Sequence, residues 1–519
     1  MDIGLLGPVG WRVPAKRAFV GAYVLLALLV VVLAVHRRHH DVELPTGCDE
    51  FGYVYLARGI AEGRPFDTPA QRPFDRGLLG VVKGSLFGLQ SYMELICPHA
   101  YHLDPHALKV VNQYPPGTSL LLSLLPSDQA KRLAPTVFAV VILLTLVLGL
   151  ALQECRVTFF DVNLALVVMM LLLSLDPFRG SFGPVNSIAP TFGLLIAAGY
   201  LLPRKPGLSL VLLGSTTVFR IVNALLLLPF LVVFVLADPL WPRVSGGTVR
   251  RALRGTLAFF AGGLWVYGAY VWLLLGNPLR LTYSYRDQAS TLEGFPSNAA
   301  FYLGFHQPWF GLHVVLLTLV ALFVAVERIP RRWMLLSAAV AVVNYLFFLF
   351  HEVRIDYYPY ASAMVLFGLA LQPIAREMRR PRLAWAVPAA GVLVLLILAG
   401  STAGGPPVED LRRAHLDKIR TYVDCWSRYD VVWADWRSGT VEYATGKAGF
   451  RYGWGHPGAR KVVLKWLRAQ GYRQAIWVAD LPVSQESIEE ELVRLRIGYA
   501  VTPCRELGVV IDIPPRTER

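Results

Sequence analysis

The chain has 519 residues, of which 55% are hydrophobic and only 17% charged. Soluble proteins carry about 25% charged residues, so the composition excludes a wholly water-soluble protein. A net charge of +14 would suit nucleic acid, but much of the excess lies in short loops between apolar runs. That pattern argues against a nucleic-acid partner and matches the basic cytoplasmic loops of membrane proteins.

The apolar residues gather in runs such as 19–35, 135–152, 257–275, 314–326 and 334–350. A hydrocarbon core of about 30 Å takes about 20 such residues per helix. The first run follows Lys16 and Arg17, and Val35-His36-Arg37-Arg38 stands after it in place of a small-residue cleavage site. It is expected as an uncleaved first span. With Arg12, Lys16 and Arg17 inside, residues 37–133 form a long outer loop. Spans follow at about 134–153, 161–175 and 188–202.

The next apolar stretch, Leu208–Ala237, holds Arg220 and Asn223. A single crossing would put Arg243, Arg250, Arg251 and Arg254 outside. Two short helices meeting near Arg220–Asn223 keep those residues inside, with Arg328, Arg331, Arg332, Arg376, Arg379, Arg380 and Arg382. The stretches 276–308, 351–356 and 401–519 then lie outside. The expected fold is a polytopic α-helical membrane protein with about eleven spans and a C-terminal soluble α/β domain. Residues 1–403 make the membrane part and 404–519 the soluble part, with Ala403-Gly404-Gly405-Pro406-Pro407 as the hinge.

In the C-terminal part, strand-like runs at Asp430–Ala434, Ala475–Ala479 and Gly508–Ile513 alternate with helical patterns at Pro457–Ala469 and Ser484–Leu495. This part has no Gly-rich phosphate loop and no metal-spaced Cys/His cluster. Recognition of an acceptor and a stabilising lid are both open readings. Cys48 and Cys97 share the outer loop, Cys425 and Cys504 the C-terminal part, and Cys155 stands alone at the inner face. Two oxidised pairs with one reduced thiol, and unpaired thiols throughout, are the two readings.

Chemistry-bearing residues cluster at the outer boundary. The long loop opens Gly47-Cys48-Asp49-Glu50-Phe51-Gly52-Tyr53. Two acids at a helix start can serve the helix dipole. They can also accept a proton from a sugar hydroxyl or hold a divalent cation. An interfacial helix is expected over Gly77–Leu95, from apolar residues at helical spacing. Asn112-Gln113-Tyr114-Pro115-Pro116-Gly117 then leads into the second span.

Arg220 lies inside an apolar stretch, where an unpaired Arg costs at least about 2.5–3.5 kcal/mol and normally faces a cavity. The alternative is snorkelling from a helix end. After the ninth span comes His351-Glu352-Val353-Arg354-Ile355-Asp356-Tyr357-Tyr358. There Arg354 suits bidentate phosphate binding and His351 a hydrogen bond to the same group, unless the turn is simply solvated. Arg286, beside Tyr285, and Lys109 are further cations.

These motifs resemble the GT-C superfamily of glycosyltransferases, and within it the protein mannosyltransferase and lipid A aminoarabinose transferase group. That group has an Asp-Glu after its first span, then Tyr and an Ala…Gly helix, then a Tyr-Pro-Pro-Gly stretch entering the second. Here those are Asp49-Glu50, Tyr53 and Tyr55, Ala57…Gly63, and Tyr114-Pro115-Pro116-Gly117. Arg220-Ile221-Val222-Asn223, Gly276-Asn277-Pro278-Leu279 with Tyr283-Ser284-Tyr285, and Tyr443-Ala444-Thr445-Gly446-Lys447 are similar to later segments of the group.

The resemblance implies a sugar donor carried on a polyprenyl phosphate, with chemistry on the outer side. It implies Asp49, with Glu50, as the general base or metal-binding carboxylate. The donor's phosphate and lipid would fall to Arg220, Arg354, His351, Tyr114, Arg286 and Lys109. The group's second acidic residue is not plainly marked, since Glu94, Asp287 and Glu293 all qualify, so a divalent metal ion stays an open cofactor. The expected partners are the lipid-linked donor, membrane lipids and an extracytoplasmic glycan, lipid or protein acceptor, in a bacterial inner membrane. A transporter or flippase of a lipid-linked substrate and a non-catalytic envelope scaffold are the alternatives.

Overall fold

The computed structural model describes residues 13–38, 44–45, 47–66, 95, 100–104, 109–174, 185–236, 246–282, 294–304, 307–326, 328, 331–351, 359–400, 408–453, 456–504 and 507–516. The chain forms two compact units. One comprises Met1–His39, Pro135–Tyr270 and Tyr285–Gly405; the other comprises His40–Ala134, Val271–Ser284 and Pro406–Arg519.

The first unit is helical, and it bears out the polytopic reading. Each expected span coincides with a helix among the described residues. Ala18–Arg37, Ala130–Glu154, Val249–Leu275 and Pro308–Ala325 are long and apolar enough to cross a membrane alone. Shorter apolar helices include Phe159–Ser174, Trp333–Leu349 and Ala386–Gly400. The stretch around Arg220 divides as the charge pattern requires. Helix Pro206–Ser215 gives way to 3-10 turns at Thr216–Val218 and Ile221–Leu226, before helix Leu227–Leu236. Arg220 itself is extended at the break, with φ −148° and ψ 105°.

Lipid offers helices no hydrophobic reward for pairing, so close backbone approach through small residues takes over. Helix Phe192–Leu201 meets helix Tyr360–Met378 at Gly199 and Gly368. A Cβ on Gly199 would strike the Val365 carbonyl, and one on Gly368 the Ile196 carbonyl. Where three helices end, Arg379 forms an ion pair with Asp161 at 2.6 Å and another with Glu154. Arg379, one of the basic residues read as a topology marker, is therefore also a clip between helices Ala130–Glu154, Phe159–Ser174 and Tyr360–Met378.

In the second unit, helix Cys48–Ala61 and a two-stranded antiparallel ladder, β1 (Tyr101–Asp104) and β2 (Lys109–Asn112), accompany a five-stranded sheet. The sheet strands are β3 (Val431–Ala434), β4 (Ala448–Arg451), β5 (Gln474–Trp477), β6 (Ala500–Pro503) and β7 (Val509–Ile513). Their order is β4-β3-β5-β7-β6, with the first three parallel and β7 antiparallel to both its neighbours. Sheets of this kind usually receive ligands where the chain turns back, beyond the ends of parallel strands. Between β3 and β5 that position is taken from within. Asp480 Oδ2 accepts the backbone N–H groups of Asp435 at 2.7 Å and Arg437 at 2.9 Å.

Cys425 and Cys504 form a disulfide. Cys48 is a free thiol, so the pair suggested for it is not formed; Cys97 lies outside the described residues. Cys155 is free and exposed. The interfacial helix expected over Gly77–Leu95 also lies outside them, apart from Leu95.

The helix contact makes a direct test. Gly368→Leu should lower the melting temperature of the purified protein in detergent by several degrees, as overpacking by about 1–3 kcal/mol implies. Gly400→Leu, whose new side chain would meet open space, should leave it within a degree or two.

Candidate functional site

The loop unit builds its site from the two motifs that open and close it. Helix Cys48–Ala61 carries Asp49 and Glu50 in its first turn, where negative charge meets the N-terminal end of the dipole. Gly47 precedes them without a side-chain cap. The two carboxylates then diverge. Glu50 is buried and paired with Lys131 at 3.1 Å, and Lys131 also donates to the Leu44 carbonyl at 2.5 Å.

Asp49 is only partly buried. Its Oδ1 accepts the Tyr114 hydroxyl at 2.5 Å and the Cys48 thiol at 3.2 Å. Its Oδ2 takes no hydrogen bond from the described residues.

Tyr114 reaches Asp49 because its backbone is held. Asn112 Oδ1 accepts the Tyr114 N–H at 2.9 Å, while Asn112 Nδ2 donates to the Gly52 carbonyl at 2.7 Å. The proline after Tyr114 restricts it towards an extended backbone. Its ring lies over Gly52, where a Cβ would come within 2.5 Å of it, and 4.8 Å from the Tyr53 ring centroid. Gln113 Nε2 donates to the Tyr114 hydroxyl at 3.0 Å, and Thr282 Oγ1 donates to the Gln113 carbonyl at 2.8 Å. Burial, reinforced by the charge of Asp49, pushes the Tyr114 phenol well above its ordinary pKa. The Cys48 thiol is pushed up well above its own value by the same two causes in the same order.

The opposite face of helix Cys48–Ala61 is seated on helix Ser438–Thr445 of the same unit. Phe51 fills the space a side chain at Gly439 would need, and Thr440 donates to the Pro45 carbonyl. The Arg58 guanidinium lies 4.4 Å from the Tyr443 ring centroid. Tyr443–Lys447, singled out in the sequence, thus braces the Asp49 helix and ends it own helix at Gly446, in the left-handed region at φ 68°.

In the helical unit, Arg220 is half-buried. It donates to Ser187 Oγ at 3.4 Å, and its guanidinium is 6.0 Å from the Tyr360 ring centroid. The Tyr360 hydroxyl lies 3.1 Å from Thr191 Oγ1 and accepts from Asn223 Nδ2 at 3.3 Å. Sequence reasoning missed Tyr360, Ser187 and Thr191. Asn186, which caps the turn at Ile188 and Ala189 with its Oδ1, was a usable signal for Ser187, whereas Tyr360 reads as an ordinary helix start. A second polar knot was also missed. Buried His313 lies 2.7 Å from both Ser362 Oγ and the Trp309 carbonyl.

The other expected donor-side residues are less informative. The His351 ring rests against Phe347 and Phe348, and its carbonyl accepts from Asn298 at 2.8 Å. Lys109 pairs with Asp104 in the β1–β2 ladder, and its side chain lies outside the described residues. Arg354, Arg286, Glu94, Asp287 and Glu293 lie outside them as well. Among the described residues no three His, Cys, Asp or Glu side chains converge as a metal site.

No protein-family model matches the sequence, and no curated protein is similar to it. The solved structure of ArnT from Cupriavidus metallidurans, in the apo state, superposes with a TM-score of 0.53 over 96% of this chain and 98% of that one, at 13% identity. The chain shares the fold of that structure. The apo oligosaccharyltransferase of Archaeoglobus fulgidus is also similar, at 13% identity and a TM-score of 0.42, over 94% of this chain and 70% of that one.

The Glu50–Lys131 pair predicts a stability effect. Lys131→Met strands a buried carboxylate and should cost about 3–5 kcal/mol, read as a lower midpoint of denaturant unfolding. Adding Glu50→Gln should recover much of that loss.

Proposed function

We propose that the chain is an integral membrane glycosyltransferase that takes a sugar from a polyprenyl-phosphate carrier and passes it to a hydroxyl-bearing acceptor. The observation that carries this reading is Asp49. It is a carboxylate at the head of a helix, with one oxygen fastened by Tyr114 and Cys48 and the other taking no hydrogen bond from the described residues. The shared fold with ArnT, a lipid A aminoarabinose transferase, supports the reading.

In the proposed reaction the acceptor oxygen attacks the anomeric carbon, and its proton passes to Asp49 Oδ2. The bond from the anomeric carbon to the phosphate oxygen breaks, and its electron pair leaves with the phosphate. General bases of this kind contribute about 10²–10⁴-fold. Arg220 carries the charge that the phosphate gains, a role Arg suits because it stays protonated and offers several donors. A single displacement inverts the anomeric configuration.

Glu50, paired with Lys131, has a positioning role in this scheme. A divalent ion wants six or more oxygen ligands. The described residues bring Asp49 no second carboxylate, and in the proposed reaction Asp49 acts as the base. Arg354, Arg286, His351 and Lys109 remain proposed donor-side contacts.

In this proposal residues 37–133 and 401–519 lie on the extracytoplasmic side of a bacterial inner membrane, and the basic short loops support that sidedness. The Cys425–Cys504 disulfide supports that side, since such bonds persist in oxidising compartments.

The test is transfer by the purified protein in lipid. Radiolabelled undecaprenyl-phosphate hexoses and pentoses serve as donors, with native membrane extract as acceptor. Label should move from one donor class, and Arg220→Ala should raise the donor KM or lower kcat at least tenfold. Absence of transfer from every donor by folded protein would overturn the reading in favour of transport or scaffolding.

A further inference from the structure

The geometry points to Tyr114 as a positioning residue for Asp49, one that fixes which carboxylate oxygen receives the proton. This inference rests on the functional reading above and gives Tyr114 a role other than contact with the donor.

Three observations carry it. A phenol has one hydrogen to give. Gln113 Nε2 donates into the Tyr114 oxygen at 3.0 Å, which leaves that hydrogen for Asp49 Oδ1 at 2.5 Å. The order Gln113 to Tyr114 to Asp49 is a polarised chain, each donor strengthening the next. Its first member is anchored by backbone bonds, with the Gln113 N–H on the Ala100 carbonyl at 3.0 Å and its carbonyl on Thr282.

The chain is also dry at its centre. Tyr114 is 5% exposed, Gln113 8% and Asn112 3%. A hydrogen bond from a buried hydroxyl to a carboxylate is of the charge-assisted kind, about twice as strong as a neutral one. Glycine at 52 is required for this, since any side chain there would displace the Tyr114 ring.

The third observation is that the donor keeps its proton. Burial and then the Asp49 charge hold the phenol well above its ordinary pKa, so it does not titrate in the range where carboxylates do. Among the described residues, the titratable groups facing this pair are Cys48, Tyr53, and Glu50 with its partner Lys131. Cys48 is likewise held protonated by burial.

The experiment measures kcat and donor KM for release of undecaprenyl phosphate from the radiolabelled donor panel, with native membrane extract as acceptor. Wild type, Tyr114→Phe and Gln113→Met are compared, with melting temperatures taken alongside. Tyr114→Phe keeps the ring over Gly52 and should fold. It should lower kcat about tenfold, equal to about 1.4 kcal/mol, and leave the donor KM unchanged. Gln113→Met should lower kcat the same way by less, with the donor KM again unchanged.

A folded Tyr114→Phe enzyme with kcat within about twofold of wild type, or one whose donor KM rises in place of a fall in kcat, would overturn the inference and leave the functional reading standing. No release from any donor by wild type would overturn both.

Discussion

The hydrogen bond from Tyr114 to Asp49 is the constraint around which the loop unit is organised. The two residues lie 65 positions apart, so the bond closes a long loop whose ordering carries an entropic cost. Asn112 meets that cost by bonding both Gly52 and the Tyr114 backbone, and Ser119 adds a bond to the Tyr53 carbonyl at 3.0 Å. The Lys131–Glu50 pair ties the same helix turn to the start of Ala130–Glu154. Helix Ser438–Thr445 backs it through Gly439 and Thr440. The C-terminal segment therefore belongs physically to the loop it braces, and its own switch-point position is filled by Asp480.

The helical unit solves a different problem. Its helices pack through glycine where lipid gives no reason to associate, and it tolerates a charged side chain by breaking a helix. Arg220 stands at that break with Ser187 and the face of Tyr360 around it. An extended residue flanked by 3-10 turns frees backbone groups that a continuous helix would consume. A cation at such a break is suited to receive an anion, as the proposed reaction requires.

Much of this was legible in the chain. Apolar runs and basic loops located the spans, and charge parity alone split Leu208–Ala237 at Arg220. Helix Pro457–Ala469 matches its periodicity residue for residue. Strands β4 and β6 were missed because Ala448–Arg451 and Ala500–Pro503 are four residues each and carry no alternation of apolar and polar residues. Asp49 and Tyr114 were each singled out, but their contact was not. It depends on Gly52 and Asn112, whose significance arises only when two distant segments meet. The divergence of Asp49 from Glu50 was equally hidden, since adjacent helical residues point about 100° apart and the partner, Lys131, lies far along the chain. Tyr360 was invisible for the same reason.

Asp49→Asn tests most directly whether Asp49 Oδ2 takes the acceptor's proton. Asparagine keeps an oxygen for Tyr114 and Cys48 and the size of the side chain, and removes only the basic oxygen. The account predicts that transfer from the lipid-linked donor falls at least about 100-fold while the melting temperature stays within a few degrees of wild type. Transfer within about twofold of wild type by a folded Asp49→Asn protein, well short of the loss expected for a general base, would contradict it.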